Sequence, residues 1–162
     1  MRQVHRTASA PPDLGTEVIG VRVGTQVELD LQLEAVMEGV LVSGTARTTA
    51  AGDCVRCLDA LERSLEVTFQ ELFVYPGKTP MGSADEDLHE LEGDLLDLEP
   101  MVRDAVVLAL PFQPVCSPGC PGLCSECGVR LADDPGHQHD STDPRWAALQ
   151  TLVDDHRDQK ES

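Results

Sequence analysis

Apolar and polar residues alternate strictly over residues 27–34. Val27, Leu29, Leu31 and Leu33 are interleaved with Glu28, Asp30, Gln32 and Glu34. A period of two puts all four apolar side chains on one face, which predicts a half-buried strand. Glu38-Gly39 marks a turn, and the Val- and Thr-rich stretch 40–49 reads as a second, antiparallel strand. Gly52-Asp53 then leads into the compact turn Cys54-Val-Arg-Cys57-Leu58. Alternation returns where Leu65, Val67 and Phe69 face Glu66, Thr68 and Gln70. It slips near Glu71, which predicts a bulge or bend before Phe73 and Tyr75. Residues 76–87 read as a loop, and 91–98 as a short added strand.

The period changes after Pro100, a residue suited to the first turn of a helix. Met101, Val102, Ala105, Val106, Leu108 and Ala109 follow at helical spacing until Pro111 stops them. Apolar on most sides, this helix is expected to be largely buried over the sheet. Residues 112–142 form a Cys/His-rich insert. Asp143 and Pro144 then supply a cap and a first-turn proline for a last helix to about residue 154, with Trp146, Leu149 and Val153 on one face. Residues 1–15, broken by Pro11 and Pro12, read as a flexible lead-in, and 154–162 as a charged tail. The expectation is an α+β fold forming one domain over 16–153. An antiparallel, twisted sheet of about four to six strands would carry the buried helix. The metal-binding insert and the Trp146 helix would close it.

Composition sharpens this. Apolar residues make up 41% of the 162 residues but aromatics only 3%, so the core must be mostly Val, Leu and Ala. The net charge of −17 repels nucleic acid and attracts basic partners. Between residues 79 and 102 there are eight acids and no Lys or Arg. This is either a solvated edge or a landing strip for a basic protein. No apolar signal-like region stands near the start, and the longest apolar run, 105–110, is far too short to span a bilayer. A cytoplasmic protein with no membrane segment is expected.

In a reducing compartment, paired cysteines are metal ligands more often than disulfides. Cys124 and Cys127 have knuckle spacing, and Gly128 permits the positive φ such a turn uses. After nine residues come His137 and His139, which point to the same side if the segment is extended. Together they make a Cys2His2 zinc quartet, with Asp133, Asp134 or Asp140 available to orient the imidazoles. Alternatively the histidines are solvated and Cys116 and Cys120 complete a site with Cys124 and Cys127. A second quartet would be Cys54, Cys57, Cys116 and Cys120. It forms only if the helix brings its C-terminal end over the first turn. The alternatives there are a Cys54–Cys57 redox pair, disfavoured because the pair follows a hairpin, or buried free thiols. Both quartets fill all four positions with protein ligands, as structural rather than catalytic zinc does. No nucleophile elbow or phosphate loop is present, so an enzyme is not expected. Direct contact with RNA would rest on a few arginines such as Arg130 and Arg145.

Four motifs stand in one order: Cys54-Val-Arg56-Cys57-Leu58; Glu92-Gly93-Asp94 ahead of a helix ending in Leu110-Pro111; Cys120-Pro-Gly-Leu-Cys124-Ser-Glu-Cys127-Gly128; and Asp143-Pro144-Arg145-Trp146. Over about residues 20–153 the chain resembles the YceD family, the large ribosomal RNA subunit accumulation proteins. Where that family commonly shows Cys-x-Cys after the knuckle, His137 and His139 stand here, a swap that keeps the coordination number. The resemblance implies a role in large-subunit ribosome biogenesis. It makes Arg56, Asp143, Pro144, Arg145 and Trp146 motif residues. The acidic charge adds a basic ribosomal protein or assembly factor as the expected partner.

Overall fold

A computed structural model describes residues 1–78 and 89–139. The chain divides into two compact units, Met1–Cys120 and Pro121–Ser162. The expected Trp146 helix, with Asp143, Pro144 and Arg145, lies outside the described residues. So do the charged tail and most of the 76–87 loop.

The first unit is a sheet in the order β1-β3-β4-β5-β6, with β2 paired to β4. The strands are β1 (Arg2–Ser9), β2 (Ile19–Gly20), β3 (Gln26–Ala35), β4 (Gly39–Asp53), β5 (Ala60–Val74) and β6 (His89–Glu90), followed by the helix α1 (Glu99–Ala109). The alternation over 27–34 becomes β3, whose Val27, Leu29 and Leu31 are buried. On the same face lie Val42, Ala46 and Ala50 of β4 and Val67 and Phe73 of β5. Ala10, Leu14, Ile19 and Val21 join that core from the segment around β2, and Met101, Val102 and Val106 from α1.

Several expectations are corrected. Residues 1–15 are not a free lead-in, because β1 pairs antiparallel with β3 from Arg2↔Leu33 to Ser9↔Gln26. As an edge strand it buries almost nothing, with only Val4 half-buried, so it carries no apolar alternation to read. Its hold on β3 is backbone pairing plus a hydrogen bond between His5 Nδ1 and the Asp30 carboxylate at 2.7 Å. No bulge interrupts β5, which keeps one register with β4 from Gly39↔Val74 to Asp53↔Ala60. The apparent slip arises because Glu71 occupies a core-phase position opposite Val42 and stays half-buried there. Gly39 permits the close pairing at that end: a Cβ on it would lie 1.9 Å from the Phe73 carbonyl oxygen. Residues 91–98 are not a strand. Within them there is only an isolated bridge, Glu92↔Leu95; the two-residue β6 just before them runs parallel to β5, so the sheet is mixed rather than purely antiparallel.

The helix is also less buried than its composition suggests. Met101, Val102 and Val106 pack on the core, but Leu108, almost in line with Met101 two turns further on, is 85% exposed. The opposite face of the sheet is polar. Across it Arg47 pairs with Asp30 at 2.6 Å and with Glu66 at 2.9 Å. Hydrogen bonds from His5, then Arg47, hold the Asp30 carboxyl below its usual range. In the second unit, described residues 121–139 form turns tied by one bridge, Leu123↔Arg130.

Uneven burial along α1 gives a direct contrast. Met101→Ala should destabilise the protein by about 2–5 kcal/mol, and Leu108→Ala should stay within about 0.5 kcal/mol. Denaturant titration of both variants measures this. Equal losses would mean that Leu108 is covered as Met101 is.

Candidate metal centres

The two long strands β4 and β5 end together, and the turn joining them carries Cys54 and Cys57. The Cys54 amide donates to the Asp59 carbonyl at 2.8 Å, and the Leu58 amide to the Cys54 carbonyl at 2.9 Å. Closing so tight a turn requires a positive φ at its fifth residue, and Leu58 takes it at 61°. The same bonds recur in the second unit, from the Cys124 amide to the Val129 carbonyl at 2.8 Å and from the Gly128 amide to the Cys124 carbonyl at 2.9 Å. There Gly128 supplies the positive φ, 74°. The two turns are one structural device used twice, which single-letter comparison does not reveal.

In the first unit the loop after α1 completes the cluster. The Val55 amide donates to the Pro114 carbonyl at 2.9 Å. The Arg56 guanidinium donates to the Cys120 carbonyl at 3.0 Å, which gives this motif residue a role as the clasp between turn and loop. Cys54 Sγ then lies 3.9 Å from Cys120 Sγ, and Cys57 Sγ 3.6 Å from Cys116 Sγ. All four sulfurs fall within 4.8 Å of one another. Metal–thiolate bonds of about 2.3 Å in a tetrahedron imply sulfur–sulfur edges of about 3.8 Å, so the cluster has the dimensions of a filled site. Cys54, Cys57 and Cys120 are buried against Leu61 and Val115, and Cys116 is exposed.

In the second unit Cys124, Cys127, His137 and His139 form the other quartet within the same 4.8 Å limit. Cys127 Sγ lies 3.2 Å from Nε2 of both histidines, and the two Nε2 atoms are 2.8 Å apart. The outer nitrogens face carboxylates: His137 Nδ1 is 3.5 Å from Asp134, and His139 Nδ1 is 3.5 Å from Glu126. With both Nε2 atoms unprotonated, their lone pairs would crowd each other across the gap between them. A shared cation relieves that repulsion, the usual arrangement of imidazole ligands. Asp134 was among the expected orienting acids. Asp133 instead pairs with Arg130 at 3.7 Å, and Asp140 lies outside the described residues. Glu126 was missed. Its signal was a carboxylate inside the knuckle itself.

The thiols are polarised for ligation. Burial pushes the Cys54 thiol up, but backbone amides of Cys116, Cys57 and Arg56 more than offset it and bring it down to about 6. Amides of Cys127 and Glu126 likewise bring Cys124 down to about 6. At Cys57 the Asp59 amide is outweighed by burial and by the three neighbouring thiols, which raise it to about 12. Crowded sulfurs of this kind share charge poorly among themselves, and a divalent cation removes the conflict. Each quartet can hold a metal ion.

The paired turns predict opposite responses. A non-glycine residue at positive φ costs about 1–2 kcal/mol, and Leu58 is 66% exposed. Leu58→Gly should therefore stabilise the first unit by up to about 1 kcal/mol after the entropy lost by glycine. Gly128→Leu should weaken the second turn by about 1–2 kcal/mol. Unfolding and metal-retention titrations read both, and a destabilised Leu58→Gly protein would contradict the shared geometry.

A family model described as "Large ribosomal RNA subunit accumulation protein YceD" matches residues 42–153. The chain is 44% identical to uncharacterized proteins of Mycobacterium tuberculosis and Mycobacterium bovis over 94% of its own length and 74% of theirs. It is 40% identical to an uncharacterized protein of Mycobacterium leprae over 93% of its length and 70% of the relative's. The uncharacterized protein YlbN of Bacillus subtilis is 29% identical over 62% of this chain and 58% of its own. No solved structure matches. The family match runs from within β4 through the first knuckle, α1 and both metal quartets, and on these grounds the chain belongs to the YceD family.

Proposed function

We propose that the protein is a zinc-stapled, non-enzymatic accessory factor in large-subunit ribosome biogenesis that acts through a basic protein partner. The observation that carries this is the family match over residues 42–153, whose description names accumulation of large-subunit ribosomal RNA. Zinc fits the donor sets: four thiolates in one site, two thiolates and two imidazoles in the other. With four protein ligands each, the sites act as structural staples, because a catalytic zinc keeps a position open for water. A Cys54–Cys57 redox pair fits less well, since each sulfur has a partner across the cluster.

Charge supports a protein rather than an RNA partner. At −17 the chain attracts a basic surface and is repelled by phosphate. Arg130, an expected RNA contact, faces Asp133, and Arg145 lies outside the described residues. The mechanism is shielding: the acidic surface holds the cations of a ribosomal protein or assembly factor until RNA displaces it. Compartment follows from the same reading, as ribosomes are built in the cytoplasm of bacteria. No helix among the described residues is long and apolar enough to cross a membrane.

In cells depleted of the protein, the ratio of large- to small-subunit ribosomal RNA should fall. The native chain should restore it, and the Cys57→Ser, Cys116→Ser variant should not. An unchanged ratio on depletion would contradict the role. Restoration by the variant would separate the role from the metal staple.

A further inference from the structure

We infer that the exposed apolar end of α1 is the docking point for a basic segment of a protein partner, a Lys- or Arg-rich chain carrying a bulky apolar residue. The inference rests on the partner reading above and gives it a surface. Leu108 is 85% exposed and Phe112 is 94% exposed. Single exposed apolar residues are ordinary. Here two lie four residues apart at one helix end, and Phe112 is one of only three phenylalanines in the chain. The first knuckle adds two more. Val55 and Leu58, on the first knuckle, are 41% and 66% exposed. The Val55 amide is bonded to the Pro114 carbonyl at 2.9 Å, which fixes the knuckle alongside the chain two residues past Phe112.

Charge identifies the occupant. A helix C-terminus carries partial negative charge and unpaired carbonyls, and both favour a cation. The last turn of α1 holds no basic residue. Asp104, one turn before Leu108, is exposed. The arginines of this region are already committed. Arg103 donates to the Pro12 and Asp13 carbonyls and pairs with Glu99 at 2.7 Å. Arg56 donates to the Cys120 carbonyl. A partner's Lys or Arg would therefore meet a helix end whose last turn carries no basic residue, with Phe112 close in the chain to offer a cation–π contact. Its aliphatic stem and an adjacent apolar residue cover Leu108, Val55 and Leu58. A phosphate backbone on the same patch would be repelled.

The test uses the full chain, zinc-loaded, and the double variant Leu108→Ser, Phe112→Ser. Because both side chains are exposed, the variant should keep the circular dichroism and metal content of the native protein. The probe is the set of large-subunit ribosomal proteins freed of RNA, at physiological salt. The native chain should retain one or more of them, and the variant should bind the same proteins about tenfold more weakly or worse. Asp104→Asn should give a smaller loss in the same direction. Equal retention by native chain and variant would overturn the docking surface while leaving the basic-partner reading intact. No retention by the native chain would overturn that reading, and this inference with it. A native dimer that the variant converts to monomer would assign the patch to a second copy and overturn the proposal.

Discussion

Four sulfurs converging at the closed end of the β4–β5 hairpin govern the larger unit. Cys57 and Cys116 stand 59 residues apart in sequence, and Cys54 and Cys120 stand 66 apart, yet each pair lies within 4 Å. A cross-link closing a loop of that length constrains the unfolded chain by roughly 4 kcal/mol. A metal ion held there would tie down the segment that contains β5, β6 and the helix α1. The position matters as much as the strength. Two fifteen-residue strands end at that turn, so an ion bound there would clamp the closed end of the hairpin.

A metal staple would help so aromatic-poor a chain hold an extended sheet. Among the described residues the largest fully buried side chain is Phe73, and the rest of the core is Val, Leu, Ala, Ile and one Met. Such side chains bury modest area each. Metal ions bound at the two knuckles would reduce what that core must stabilise. They would also offset the self-repulsion of so acidic a surface. The proposed shielding of basic ribosomal partners fits such a division of labour, in which bound metals would carry folding and charge would carry recognition.

Legibility followed the strength of the local pattern. β3 was plain because Val27, Leu29 and Leu31 meet the core while Glu28 and Asp30 meet water. The turn at Cys54 and the start of α1 at Pro100 were plain from residue chemistry. β1 was invisible because an edge strand with exposed side chains is specified by its neighbour's free backbone, not by its own apolar period. The Glu71 position misled because one half-buried carboxylate in the core phase mimics a change of register. Both quartets were legible as spacing, but the equivalence of the two turns was not, because Leu58 and Gly128 solve the same φ requirement with unlike side chains. The clasp made by Arg56 and the contact of Glu126 with His139 depend on tertiary placement that spacing does not encode.

Metal stoichiometry tests the central claim most directly. Native mass spectrometry of the protein purified under reducing conditions, with all six thiols counted, measures it in one experiment. The account predicts two zinc ions per chain, one in each quartet, with no disulfide formed. A chain carrying six reduced thiols and fewer than two metal ions would contradict it.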